Sequence, residues 1–308
     1  MRFADDVIVA FKLKAFYEEF LNKIRDDQER FNGNHPTDTG ALADVVPFDG
    51  IGGNPGCPVW QVAYIVIARQ MWKHYGEDVL PSLTKHFGGL QQLMNWFDRH
   101  ADSADGLLVT PCYGDWMGFD PESGNGGGSK LTPPAAITAF YHVTAMLHLS
   151  EIAGALGKAD VAAQYAAQYA KGQAAYHARF YNATAGGYNP CSSDNPVCHG
   201  TSSAGSQTSN SMALALGAPP DEATALKVAK NMADDVMAFG NKTTAGVVGM
   251  AWLFPMLDKY GYSDVALAIL LNDAYPSVGH MAHQNMTTLC ENFACTFHEV
   301  GRTVTPPP

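Results

Sequence analysis

Charge is scarce in this 308-residue chain: 16% of the residues are Asp, Glu, Lys or Arg, and 19 Lys and Arg face 30 Asp and Glu. The formal net charge of −11 leaves no clustered cations for a phosphate backbone or an anionic bilayer, so neither nucleic acid nor membrane is expected as a partner. No uninterrupted apolar run approaches the roughly 20 residues that span a bilayer. The opening MRFADDVIVAFKLK lacks the long apolar stretch and cleavage site of a signal peptide. Cys-x-x-Cys pairs of the zinc-binding type are missing. Convincing apolar/polar alternation is also missing, which speaks against an all-β fold.

What remains is apolar and aromatic. With 46% hydrophobic and 11% aromatic residues the chain can bury a large core, and its length fits one closed helical domain over residues 1–308. Its cysteines (Cys57, Cys112, Cys191, Cys198, Cys290 and Cys295) are even in number and lie in loop-like stretches, which favours disulfides over a metal. Cys191 and Cys198 bracket SSDNPV and are expected to staple that loop. Asn-x-Ser/Thr triplets at Asn182, Asn241 and Asn285 agree with a parent protein of the secretory pathway.

Apolar residues at helical spacing define the elements. Leu13, Phe16, Tyr17, Phe20, Leu21 and Ile24 predict a helix over about 5–31. Trp60 to Tyr75 predict a second, stopped by Gly76, and a third starts at Pro81, with Gly88-Gly89 as a candidate kink. Pro133-Pro134 open a fourth, to Leu156, and Asp160 to Phe180 form a fifth. Four more are expected at 207–216, 221–239, 245–260 and 263–275, with irregular chain beyond Pro276. The fold class is therefore all-α.

If consecutive helices run antiparallel, connections alternate between two rims. The long loops 32–58, 101–133, 182–206 and the segment from 276 then fall on one rim, and the brief turns near 76, 157, 217 and 261 on the other. Only the short 240–244 link breaks the length rule. Long loops gathered on a rigid scaffold are where a pocket is expected. They carry Asp44, Asp49, Asp115, Asp120, Glu122, Asp194, Glu291 and Glu299, beside Trp60, Tyr113 and Trp116. Aromatic faces stack on the apolar side of a pyranose, and paired carboxyl groups supply a general acid and a water-activating base, so this mixture suits sugar hydrolysis.

Tyr113-Gly114-Asp115-Trp116, the helix pair LTPPAAITAFYHVTAMLHLSEIAGALGK, GSQTSNSMALALG, the run TAGVVGMAWLFPMLDKYGYSDVALAILLNDAYPSVGHM and TTLCENF resemble, in order, the catalytic domain of inverting α-L-rhamnosidases, glycoside hydrolase family 78. The resemblance covers about Asp5 to Glu299 and implies an (α/α)6 barrel. By it, Glu291 matches the general base, Asp115 and Trp116 match sugar-binding positions, and Trp60 matches a pocket tryptophan, with Tyr113 beside them. The competing structural roles are a capping or ion-pairing Glu291, a turn Asp115, and core packing for Trp116 and Trp60. Gln207, Thr208 and Asn210 are expected to organise a helix start. The resemblance implies no metal or organic cofactor.

Two departures matter. The family's acid-bearing Arg-Asp-Glu-Arg and Gly-Trp type segment has no counterpart here, and neither has its Asn-His segment after the glutamate loop. The barrel is thus expected to be incomplete at both ends, with the general acid missing and this chain weakly active or inactive by itself. Cys290 replaces the usual tryptophan before the glutamate, a change that pairing with Cys295 or another loop cysteine would explain. The implied substrate is a rhamnose-containing glycoside cleaved with inversion. The alternatives are a lectin-like barrel that binds sugar without chemistry, or a six-hairpin glycosidase for another sugar in which Asp115 or Asp49 is the acid.

Overall fold

The computed structural model describes residues 13–120, 124–125, 128–129, 131–188, 204–284, 290, 292–293, 297–299 and 302–304. Among them the helices are α1 (Lys14–Asn34), α2 (Pro58–Gln61), α3 (Ala63–Tyr75), α4 (Leu80–Arg99), α5 (Pro134–Ala155), α6 (Ala159–Phe180), α7 (Gln207–Leu216), α8 (Glu222–Ala238), α9 (Val247–Lys259), α10 (Ser263–Leu271) and α11 (Val278–His283). Strands are limited to short antiparallel pairs: β1 (Asp115–Trp116) with β4 (Gly128–Ser129), β2 (Phe119–Asp120) with β3 (Gly124–Asn125), β5 (Tyr181–Asn182) with β6 (Gly187–Tyr188), and β7 (Phe297–Glu299) with β8 (Arg302–Val304). The class is all-α, as the periodicity predicts. No helix among the described residues is long and apolar enough to cross a membrane.

The chain divides into two compact units: Met1–Cys112 with Thr138–Tyr176, and Tyr113–Ile137 with His177–Pro308. In the first, α1 turns Tyr17, Leu21, Ile24 and Phe31 inward and packs on α3 and α4. These residues recur every three to four positions, so one stripe carries the burial, at about 25 cal/mol per Å² of apolar area. Helix α4 runs unbroken through Gly88-Gly89 instead of kinking. Gly89 is there for clearance: a Cβ would come within 2.8 Å of the Tyr64 hydroxyl and 2.9 Å of Gln28 Oε1. Gln28 in turn donates to the carbonyls of Gly40 and Gly89, at 2.7 and 3.1 Å, which ties the 35–57 loop to α1 and α4.

That loop is organised by Asp44, whose carboxylate accepts from the amides of Gly53 and Cys57 at 2.6 and 2.5 Å. A disulfide joins Cys57 to Cys112. Cys290 is disulfide-bonded as well. The expected Cys191–Cys198 staple lies outside the described residues, as do Cys295 and the sequon at Asn285.

In the second unit α7 packs on α8 and α9, and α9 on α10. Ser206 caps α7 in a reciprocal box with Ser209, each hydroxyl accepting from the other residue's amide at 3.0 Å, and Gly217 closes the helix at φ +69°. Helix α10 stops at Leu271, short of the expected Tyr275, because Asn272 turns extended. Beyond Pro276 the chain is not wholly irregular: Ser277 caps α11 by accepting from the His280 amide at 3.1 Å. Ser277 is a legitimate sequence signal for a helix start, but the element it opens is too short to show a periodicity.

Candidate active site

The second unit gathers its polar chemistry at the start of α9. Asp115, on β1, is 1% exposed. Its Oδ2 accepts from the Thr208 hydroxyl at 2.5 Å and the Gly246 amide at 2.8 Å, and its Oδ1 accepts from the Gly249 amide at 2.9 Å. Gly246 is the N-cap of α9, so the carboxylate fills the place where a helix leaves amides unpaired and its dipole favours negative charge. Burial pushes the Asp115 carboxyl above its usual range, and the donations from Thr208, Gly246, Gly249 and Val248 pull it back only in part.

Glycines make the approach possible. A Cβ on Gly249 would overlap the Thr208 hydroxyl and lie 2.7 Å from Asp115 Oδ2, and one on Gly246 would overlap the Trp116 carbonyl and lie 2.8 Å from Asp115 Oδ1. The chain at 114–118 bends to fit, with Gly114 at φ +69° and Met117 at φ +59°. Trp116, half-buried, then meets Tyr113 edge to face, with ring centroids 5.6 Å apart.

Neighbouring segments lock the same platform. Gln207 accepts from the Thr244 amide at 3.0 Å and donates to the Lys242 carbonyl at 3.3 Å. The Thr244 carbonyl accepts from the Phe119 amide, and the Thr243 amide donates to the Pro276 carbonyl. Phe119 packs edge-on against Tyr275 at 5.5 Å. The short 240–244 link, which breaks the loop-length rule, thus joins the long 113–120 loop and the 276 segment. Asn210 receives the Tyr188 amide at 2.9 Å and donates to the Ala204 carbonyl at 2.9 Å. Gln207, Thr208 and Asn210 all serve the fold around this helix start.

Glu291 itself lies outside the described residues, but its neighbours do not. Phe293, 2% exposed, forms a core cluster with Met281, against which Met250, Tyr275, Val278 and Cys290 also pack. Met250 follows Gly249 directly, so the helix turn that holds Asp115 also packs against the Met281–Phe293 cluster. Trp60 is half-buried on α2 in the first unit, where Asp44 is consumed by the loop amides and Asp49 accepts from the Ile51 amide at 3.1 Å. Asp120 and Glu299 are described in backbone only, and Glu122 and Asp194 not at all. Sequence reasoning puts Thr208 at a helix start without its carboxylate partner, and it misses Gly246, Gly249 and Met250 altogether. Gly246 and Gly249, three apart at a helix start, are the available sign of a close backbone approach.

A raised carboxyl pKa is what a general acid possesses, so Asp115 invites that role. Its geometry argues otherwise, because both oxygens receive protein donors and almost none of the residue reaches solvent.

Residues 3–303 match the model of the bacterial alpha-L-rhamnosidase 6 hairpin glycosidase domain. The chain belongs to this family. It is 26% identical over 298 residues to an alpha-L-rhamnosidase of Streptomyces avermitilis, covering 94% of this chain and 24% of that protein. An alpha-L-rhamnosidase of Formosa agariphila is 24% identical over 280 residues, covering 90% and 27%. The chain therefore spans about a quarter of the length of the curated relatives it matches. Among solved structures, the alpha-L-rhamnosidase of Dictyoglumus thermophilum superposes with a TM-score of 0.77 at 27% identity, over 92% of this chain and 28% of that one. The Streptomyces avermitilis enzyme complexed with L-rhamnose gives 0.72 at 21% identity, over 92% and 24%, and shares the fold.

Proposed function

We propose that the protein carrying this domain hydrolyses terminal α-L-rhamnosyl linkages with inversion, and that Glu291 is the base that activates water. The observation that carries this reading is the double duty of the first turn of α9. It fixes the Tyr113–Trp116 aromatic corner through Asp115, and through Met250 it packs on the Met281–Phe293 cluster, against which Cys290, the residue before Glu291, also packs. A sugar platform and a carboxylate-bearing segment that share one rigid support are what an oxocarbenium-like transition state requires. Trp116 is the stacking face, Tyr113 steadies it, and Trp60 is the further sugar-contacting tryptophan that the family resemblance implies. Asp115 positions Trp116 and transfers no proton. Inversion calls for the acid and the base to stand roughly 6.5 to 9.5 Å apart with a water between them. Within residues 1–308 the groups assigned to this chemistry are the base Glu291 and the sugar platform of Tyr113 and Trp116. The disulfides and sequons support an oxidising, secretory compartment for the protein.

The test uses the full-length protein and a natural rhamnoside. Glu291→Gln is expected to lower kcat on the order of 10²- to 10⁴-fold while rhamnose still binds, and Trp116→Ala to weaken rhamnose binding. The first product seen by NMR should be the inverted anomer. Wild-type turnover by Glu291→Gln, or retained configuration, would sink the assignment. Binding without any turnover in the wild type would make the barrel a lectin.

A further inference from the structure

We infer that Asn182 is an N-glycosylation acceptor, a site separate from the α9 platform. Asn182-Ala183-Thr184 is an acceptor triplet, and it occupies the tip of the β5–β6 hairpin. The turn is fixed on all sides. The Asn182 carbonyl accepts from the Gly186 amide at 2.7 Å, and its side-chain Oδ1 accepts from the Ala185 amide at 3.0 Å. From α8, Asn231 donates to the carbonyls of Gly186 and Ala185 at 2.9 and 3.4 Å. Gly186, at φ +77°, admits the Lys227 side chain against the turn.

The result is an amide whose oxygen is held by the fold and whose Nδ2 has no hydrogen-bond partner among the described residues. Ala183 and Thr184 beside it are exposed. Asn182 is half-buried at the edge of this exposed turn, and a sugar on Nδ2 would displace none of these hydrogen bonds of the hairpin. Asn241 differs: its triplet ends at fully buried Thr243, whose hydroxyl accepts from the Ala245 amide at 3.0 Å inside the segment that braces Asp115. The Cys57–Cys112 and Cys290 disulfides are the independent observation: they fit an oxidising compartment, and in a eukaryotic cell the oxidising ER lumen is also where oligosaccharide transfer takes place.

The donor class is an oligosaccharide linked to a lipid through pyrophosphate. Asn182 Nδ2 bonds to C1 of the reducing-end sugar, the C1–O bond to pyrophosphate breaks, the lipid pyrophosphate leaves and the amide releases one proton. No electron acceptor or donor is needed. Transfer acts on the unfolded chain, so the fold's part is to leave the finished glycan outside the core.

The experiment expresses the full-length protein through the secretory pathway of a glycosylating eukaryotic host and maps the peptides by mass before and after a glycan-releasing amidase. The Asn182 peptide should carry a glycan, and release should leave it with the mass of a deamidated side chain at that position. Thr184→Ala, which removes the triplet at an exposed position and leaves Asn182 in place, should abolish the glycan. An unmodified Asn182 in protein whose Cys57–Cys112 bond has formed overturns the inference, whether or not Asn241 or Asn285 is occupied. So does a glycan at Asn182 that persists in Thr184→Ala.

Discussion

The Thr208 hydroxyl donates to Asp115 Oδ2 at 2.5 Å across 93 residues of sequence, and this bond fastens the start of α7 to the β1 turn. With the amides of Gly246 and Gly249 on the same carboxylate, it makes one buried anion the junction of three segments. A buried anion is stabilising only while its donors are aimed at it.

Asp115→Asn keeps the size of the side chain but places an NH2 against groups that are themselves donors. At least one of Thr208, Gly246 and Gly249 then loses its acceptor in a site closed to water. The expected loss is about 2 to 4 kcal/mol of folding stability, read as a lower denaturant midpoint with an unchanged slope. A variant as stable as the wild type would remove the carboxylate from its place as junction.

The two glycines give a steric version of the same prediction. Gly249→Ala puts a methyl against Thr208 and Asp115, and should destabilise by about 1 to 3 kcal/mol and weaken sugar binding in the full-length protein by shifting Trp116. Gly154→Ala, on exposed α5 surface with nothing within 4 Å of the added Cβ, should instead raise the melting temperature, by about 0.5 to 1 kcal/mol of stability. Equal effects from the two would show that clearance at Gly249 is not the reason for the glycine.

Much of the scaffold is legible in the chain itself. Pro134 and Asp221 mark helix starts because the chemistry of a helix end is local, and the 3.6-residue recurrence of Leu21, Ile24 and their neighbours marks the buried stripe of α1. The apolar spacing from Trp60 to Tyr75 reads as one helix, whereas α2 and α3 meet at Val62; nothing in the local pattern records that joint. The two-residue strands leave no trace because alternation needs length. Asp115 stands out through its family motif, but its burial does not, since the amides that hold it lie 131 and 134 residues away and a backbone donor has no side-chain signature. Gly89 is the complementary case: local rules see a helix breaker, and only the fold reveals Tyr64 and Gln28 pressing on it.

Acid should unfold the first unit through two histidines. Burial lowers His86 to about 4 and His148 to about 3 from 6.5, with Lys85 and Arg69 respectively adding repulsion. Both are neutral when folded, so below pH 6.5 the unfolded chain takes up protons that the native state refuses. Stability therefore falls between about pH 6.5 and pH 3 to 4, by up to about 1.4 kcal/mol per pH unit for each histidine. Asp115 works in the opposite sense, since its raised pKa lets the native state bind a proton more readily than the unfolded chain. His148→Leu, which also removes an unpaired buried Nδ1, should flatten the acid limb of a stability-against-pH curve. An unchanged slope would mean His148 is charged in the native state.

The Cys57–Cys112 bond closes a loop with a sequence separation of 55 that contains α2, α3 and α4. Opening it frees the unfolded chain far more than the folded one, because the native ends are already held by Asp44 at Cys57 and by the Thr138 contact at Cys112. Chain entropy alone puts the difference at about 4 kcal/mol, and native relaxation would reduce it. Cys57→Ser with Cys112→Ser should thus lower the melting temperature while the helical circular dichroism at low temperature stays unchanged. Because the bond ends at the residue before Tyr113, the same double variant in the full-length protein should weaken rhamnose binding more than it lowers kcat. A melting temperature that does not move would mean the 35–57 loop is held by Gln28 and Asp44 without covalent help.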